Sequence, residues 1–312
     1  MKSSKRILSI IIPAAILVSG CEKSGADQSH DERTITVTAG VVSQTKAGYE
    51  SGVLLPEKFF MDIIQGDDAK YNYTLVEMTK EAGGNTYSAP EGTKLLWADE
   101  NYSASVKAMT VPYGLSAVTD DGVMEVNVSL QQDDAANVAA SDLLGATSAV
   151  NGGVTIDEGV INVTFSHLLS KLNVNYTFSS EFANNTKSVN SLTLKNICTT
   201  GGFSYADMSY DKTDLDYGDV TMYLDPTKST AEAIFFPYNP SENPILSINA
   251  TIDGEECTFT CPVVAKSADG FVGGKRYTMN VTIVGTTVSE TLATIAQGWD
   301  TDTKEESFVT EK

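Results

Sequence analysis

From Thr34 onward, apolar and polar residues alternate with a period of two, and no other feature limits the fold as tightly. Ile35, Val37, Ala39 and Val41 alternate with Thr34, Thr36 and Thr38. The same pattern recurs in Met124, Val126, Val128 and Leu130, in Leu172, Val174, Tyr176 and Phe178, and in Leu246, Ile248, Ala250 and Ile252. Tyr277, Met279, Val281 and Ile283 give the clearest late example. Side chains two apart share one face of a strand, so the pattern predicts antiparallel sheets with one buried and one wet face. Helical signals are sparse: Pro56 to Gln65 and Ser166 to Leu172 each read as a turn or two. Glycine pairs at 83–84, 152–153, 201–202 and 273–274 punctuate the strands. No short-period repeat is visible, which disfavours solenoids and propellers. At roughly 100–200 residues per domain, 312 residues suggest two domains. The loop-like stretch from Gln131 to Gly153 places the boundary near 158, giving domains over 34–158 and 159–312.

Residues 1–20 read as an export signal. Lys2, Lys5 and Arg6 form a basic start, and Ile7 to Val18 form an apolar stretch interrupted by Ser9 and Pro13. It is shorter than the ~20 apolar residues a membrane span needs. Its end, Val18-Ser19-Gly20-Cys21, resembles the bacterial lipobox, in which the Cys becomes the lipidated first residue of the mature protein. The polar stretch that follows, 21–33, reads as a flexible tether. The expectation is a protein anchored to a membrane by lipid and not threaded through it.

The chain has 21 basic against 41 acidic residues, a formal net charge of −20. That excludes nucleic acid as a partner, because phosphate binding needs a basic footprint. Two histidines, His30 and His167, leave little room for a His-rich metal site. No nucleophile elbow, zincin motif, Walker loop or dinucleotide fingerprint occurs, so neither catalysis nor a cofactor is expected. His167, beside an apolar run, reads as a structural histidine bonded to backbone. The acidic clusters Asp207–Asp219 and Asp300–Glu306 read as solvated loops without metal. Cys257 and Cys261 lie four apart on one strand, about 13 Å, beyond the roughly 7 Å reach of a disulfide. Either pairs with Cys198, or all three are small buried side chains.

Several short motifs follow one another in a definite order. After Cys21 and the first strand comes Gln44-Thr45-Lys46-Ala47, then Ser105-Val106-Lys107-Ala108 and Val111-Pro112-Tyr113. Ser141-Asp142-Leu143-Leu144 precedes the run from Val163 to Leu172, which holds Phe165, His167 and Lys171. Phe235-Phe236-Pro237, then Gly273-Gly274-Lys275-Arg276-Tyr277, then Ile295 and Trp299 close the series. This succession resembles the fimbrillin family of Bacteroides-type bacteria over nearly the whole mature chain.

The resemblance implies an all-β chain of two tandem transthyretin-like β-sandwich domains. It also implies a structural or adhesive subunit of surface fimbriae, the type V pili, whose partners are other fimbrial subunits and a host or bacterial surface ligand. In that family a trypsin-like protease clips the lipoprotein near its first strand, and a strand from another subunit fills the vacated groove. Here Arg33 and Lys46 flank the strand carrying Ile35, Val37, Ala39 and Val41. Cutting after Lys46 releases lipid and strand together, whereas cutting after Arg33 removes only the lipid. Family members commonly carry Arg where this chain has Lys46, so an Arg-specific protease leaves this site uncut and the subunit lipidated. The alternative reading is a carbohydrate-binding surface lipoprotein, another use of tandem sandwiches, which a glycan array distinguishes from a shaft subunit.

Overall fold

The computed structural model describes residues 33–41, 55–149, 153–265, 267–285 and, as backbone, 287–296. Cys21, Lys46, Trp299 and the acidic cluster 300–306 lie outside the described residues. The architecture is an all-β sandwich.

The first part of the chain supplies β1 (Thr36–Val41), β2 (Lys58–Ile64), β3 (Tyr73–Lys80), β4 (Thr86–Ser88) and β5 (Ser105–Met109). After these come β6 (Val123–Asn127), the one α-helix among the described residues, α1 (Ala135–Ser141), β7 (Leu144–Thr147), β8 (Val154–Asp157) and β9 (Val160–His167). All of these strands except β6 form one eight-stranded sheet, ordered β1-β4-β3-β2-β5-β7-β9-β8. Because β1 also pairs with β9, the hydrogen-bonded path closes on itself. Its core holds Val37, Phe59, Met61, Trp97, Ala108, Val163 and Phe165.

The remaining strands are β10 (Ser170–Phe178), β11 (Lys187–Ser204), β12 (Ser209–Thr221), β13 (Tyr223–Asp225) and β14 (Thr230–Phe235). They are followed by β15 (Ile245–Ile252), β16 (Glu255–Pro262), β17 (Arg276–Val284) and β18 (Thr287–Ala296). One five-stranded sheet runs β13-β14-β10-β17-β18; the other runs β12-β11-β15-β16, with β6 added to β11. Leu172, Val174, Leu192, Leu194, Ile248 and Met279 meet in the core of this second region.

The alternation is realised in β1, β6, β10, β15 and β17, although Leu130, the last of its series, is 47% exposed. Two helical expectations are wrong. Pro56 to Gln65 contains β2, whose central residues are buried on both faces: Phe59, Met61 and Ile63 in the first core, Phe60 in the second. Burial on both faces erases the period-two signal, and a short apolar run then mimics a helix. Ser166 to Leu172 spans the end of β9 and the start of β10.

The loop-like stretch after Gln131 holds α1 and β7; Asp134 caps the helix by accepting the Asn137 N–H at 2.7 Å. Residue 158 falls in a hairpin turn within the first sheet. Glu158 and Gly159 both have positive φ, 47° and 83°, as a two-residue turn between β8 and β9 requires. The change of sheet comes later, between His167 and Ser170. Cys198, Cys257 and Cys261 form no disulfide with one another.

Candidate functional site

The first strand is where the fold and the sequence signals converge. Thr36, Val37, Thr38 and Val41 are β-branched, which suits an extended, half-buried backbone. Val37 is fully buried, and Ile35, Ala39 and Val41 are each at most 6% exposed. Six residues of β1 pair in parallel with β9, from Thr36 opposite Val160 to Val41 opposite Phe165. On the other edge Val37 and Thr38 pair antiparallel with Tyr87 and Thr86 of β4. An internal strand is therefore the first strand among the described residues.

The residues around it also contact one another. Phe59 packs on Tyr87 at 4.8 Å and edge-on to Phe165 at 5.1 Å. The Tyr87 hydroxyl donates to Pro56 O at 2.6 Å, and the Trp97 indole donates to Gly159 O at 2.9 Å. Thr38 Oγ1 donates to Asn162 Oδ1 at 2.7 Å, adding a side-chain link to β9. Each large aliphatic side chain withdrawn from such a groove forfeits roughly 1.5–3 kcal/mol of burial. An emptied groove therefore favours a replacement strand by several kcal/mol.

The entry to the strand is pinned. Ile35 N–H donates to Leu95 O at 2.9 Å, and Trp97 N–H donates to Arg33 O at 2.8 Å. The Arg33 guanidinium donates to Ala98 O at 3.1 Å. Main chain and side chain of Arg33 are thus both engaged, a poor substrate conformation for a protease that needs an extended, open segment.

The later motif residues are brought together around the passage from β9 to β10. Phe165 is fully buried against the β1 groove. His167 Nδ1 lies 2.9 and 3.1 Å from the two oxygens of Asp142, so this nitrogen has a carboxylate as a partner where the sequence predicts a backbone group. Asp142 directly follows α1 and reaches His167 because Leu144 and His167 are opposite residues of β7 and β9.

Lys171 is fully buried, with Nζ 2.6 Å from Glu232 Oε2. Tyr277 accepts the Val272 N–H at 2.7 Å and packs edge-on to Phe271 at 5.1 Å. Its strand partner is Ile295 of β18. The glycine run before Tyr277 closes on the His167 motif. Gly274 N–H donates to Leu169 O at 2.9 Å, and a Cβ on Gly274 (φ 70°) would sit 2.8 Å from His167 O. The residues flagged in sequence are therefore of two kinds: Ile35 to Val41 and Phe165 build the groove, while His167, Lys171 and Tyr277 fix the changeover of sheets. Asp142 stood in a motif without a role, and nothing near Lys171 in sequence signals Glu232 as its partner.

A family model described as fimbrillin-like matches residues 27–299. The fold is similar to that of a candidate cell adhesion protein from Bacteroides uniformis, at 18% identity and TM-score 0.59, covering 86% of this chain and 100% of that one. It is likewise similar to one from Bacteroides ovatus, at 18% identity and TM-score 0.61, covering 87% and 99%. No curated protein matches the chain.

Proposed function

We propose, of a chain that belongs to the fimbrillin-like family, that it is a structural or adhesive subunit of cell-surface fimbriae that assembles by strand exchange at the β1 groove. The reading takes the first sheet and the later pair of sheets as the family's two transthyretin-like sandwich domains. It takes Cys21 as the lipidated residue of an outer-membrane precursor. Cleavage between β1 and β2 then releases lipid and strand together.

The observation that carries this reading is the position of β1. It is internal to the sheet, with Ile35, Val37, Ala39 and Val41 buried, yet it is the first strand among the described residues. One cut on its C-terminal side severs its only covalent link to the other described strands. A cut at Arg33 leaves the groove filled, and Arg33 is held by Trp97 and Ala98. Lys46, on the far side of the strand, is therefore the cut this reading favours.

N-terminal sequencing and mass spectrometry of surface-extracted protein test it. SDS-resistant polymer is expected to begin at Ala47 and to lack β1. Polymer whose subunits begin at Cys21 would overturn clipping.

A further inference from the structure

The stretch between β5 and β7 leaves the first sheet, crosses into the second region and comes back. On the way, β6 pairs with β11 over five residues, from Val123 opposite Ser204 to Asn127 opposite Thr200. The ladder continues past β6: Val128 N–H donates to Thr199 O at 3.0 Å, and Thr221 N–H donates to Leu130 O at 2.8 Å. Gln132 N–H then donates to Thr221 O at 2.9 Å.

The side chain of Gln132 is fully buried. Its Nε2 donates to Ile234 O at 2.7 Å and its Oε1 accepts the Ile234 N–H at 2.8 Å. A carboxamide carries one acceptor and a donor group on the same planar unit, as a peptide does. Gln132 thus stands in for a strand residue on β14, beyond the three residues that β13 covers.

Apolar contacts and a cation reinforce the crossing. Met109, Val118, Met124, Val126, Val138 and Leu143 all belong to the second core. Lys107 of β5 places Nζ 3.2 Å from Ala206 O and 4.2 Å from the centre of the Tyr205 ring. It also lies 3.3 Å from Asp62 and 3.7 Å from Asp120, while the Tyr205 hydroxyl donates to Lys107 O at 3.1 Å.

From this geometry we infer that residues 110–143 form an internal strap: a strand donated in cis that completes the second region's sheets and makes both regions unfold as one unit. The strap and β1 use the same chemistry with opposite permanence. Among the described residues, β1 is joined covalently to the other strands on one side only, so a single cut severs it from them. The strap is held at both ends by strands of the first sheet, so no single cut releases it. The inference concerns the fold and stands whether or not the chain polymerises.

Two probes in one chain test it. In residues 22–312 carrying Trp299→Phe, Trp97 fluorescence reports the first sheet. Pulsed alkylation of Cys198, read by peptide mass spectrometry, reports the second region. Without a strap substitution both signals are expected to change at the same urea concentration. Gln132→Leu keeps volume but loses the Ile234 bonds. Gly202→Val places a Cβ 2.5 Å from Val123 Cγ1. In either variant Cys198 alkylation is expected to rise at least tenfold at urea concentrations where Trp97 is still native. Separate transitions in the parent, or variants that shift both probes equally or neither, overturn the inference. Hydrogen exchange of the parent gives an answer even where a variant fails to fold. Amides of β11 at 200–204 and of Ile234 should share the slow class of β2 and β5, and faster exchange there contradicts the strap.

Discussion

In the first sheet the hydrogen-bonded path closes on itself through β1, whereas the sheets of the second region end in edge strands. Two of those edges, β12 and β16, are blunted. The edge strand β12 carries Asp211, Asp214, Asp216 and Asp219, and its pairing with β11 is broken by three register shifts. The edge strand β16 begins with Glu255 and Glu256 and ends on Pro262. Charge, irregular register and proline all oppose the docking of a foreign strand. Under the proposed strand exchange, the contrast places the point of entry for another chain at the closed sheet once β1 has left, and away from the β12 and β16 edges.

The contrast breaks most readily at Val37. Replacing this fully buried residue by Asp puts an unpaired charge into the first core and should cost more than about 4 kcal/mol. Thr36→Asp, one residue away on the exposed face, should stay within about 0.5 kcal/mol. Urea unfolding followed through Trp97 checks both, and equal costs would deny that β1 has a buried and a wet face.

The second region contains a buried ion pair, Lys171–Glu232. Lys171→Met or Glu232→Gln alone should cost about 3–5 kcal/mol, while replacing both with apolar residues should recover most of it. A double-mutant cycle in urea reads the coupling. Additive losses would show that the pair is not the unit of stability.

Alkaline pH sharpens the comparison further. Burial pushes the Cys198 thiol up to about 12, with Asp216 adding to the rise, and burial raises the Tyr205, Tyr210 and Tyr238 hydroxyls above their ordinary range. All four lie in the second region. Each binds its proton more tightly when folded, so its contribution is complete below the unfolded pKa and is lost as pH rises toward the folded one. Above pH about 9, stability should fall by up to ~1.4 kcal/mol per pH unit for each such group. Cys198 alkylation in urea at stepped pH follows it, and a flat profile up to pH 11 would contradict the assignment.

The smallest effect on stability is expected at the edge itself. Glu255→Thr, Glu256→Thr and Pro262→Val together should change stability by less than about 0.5 kcal/mol each. They should nevertheless make the unclipped chain associate, as seen by light scattering. A monomeric triple variant would show that the β16 edge is guarded by something else.

The strands with a clean period of two were legible in sequence because each buries one face only. β2 was not, since Phe59 and Phe60 serve different cores. α1 was hidden because an Ala-rich, polar segment reads as loop until its Asp134 cap is seen. Of the candidate site, Ile35 and the buried side chains Val37, Ala39 and Val41 of β1 were legible from alternation alone. The groove that receives them was not, because Tyr87, Trp97 and Phe165 come from distant parts of the chain. The same holds for the His167–Asp142 and Lys171–Glu232 pairs, which only the β7–β9 and β10–β14 pairings bring together. At the boundary expected near 158, Glu158-Gly159 forms a hairpin turn within a sheet.

The β1 groove as the assembly joint is tested most directly by emptying it. Residues 47–312 should form SDS-resistant polymer on concentration, and a peptide of residues 33–42 should bind the monomer and block that polymerisation. The same peptide with Val37→Asp should do neither. A folded 47–312 chain that stays monomeric and ignores the wild-type peptide would contradict the account.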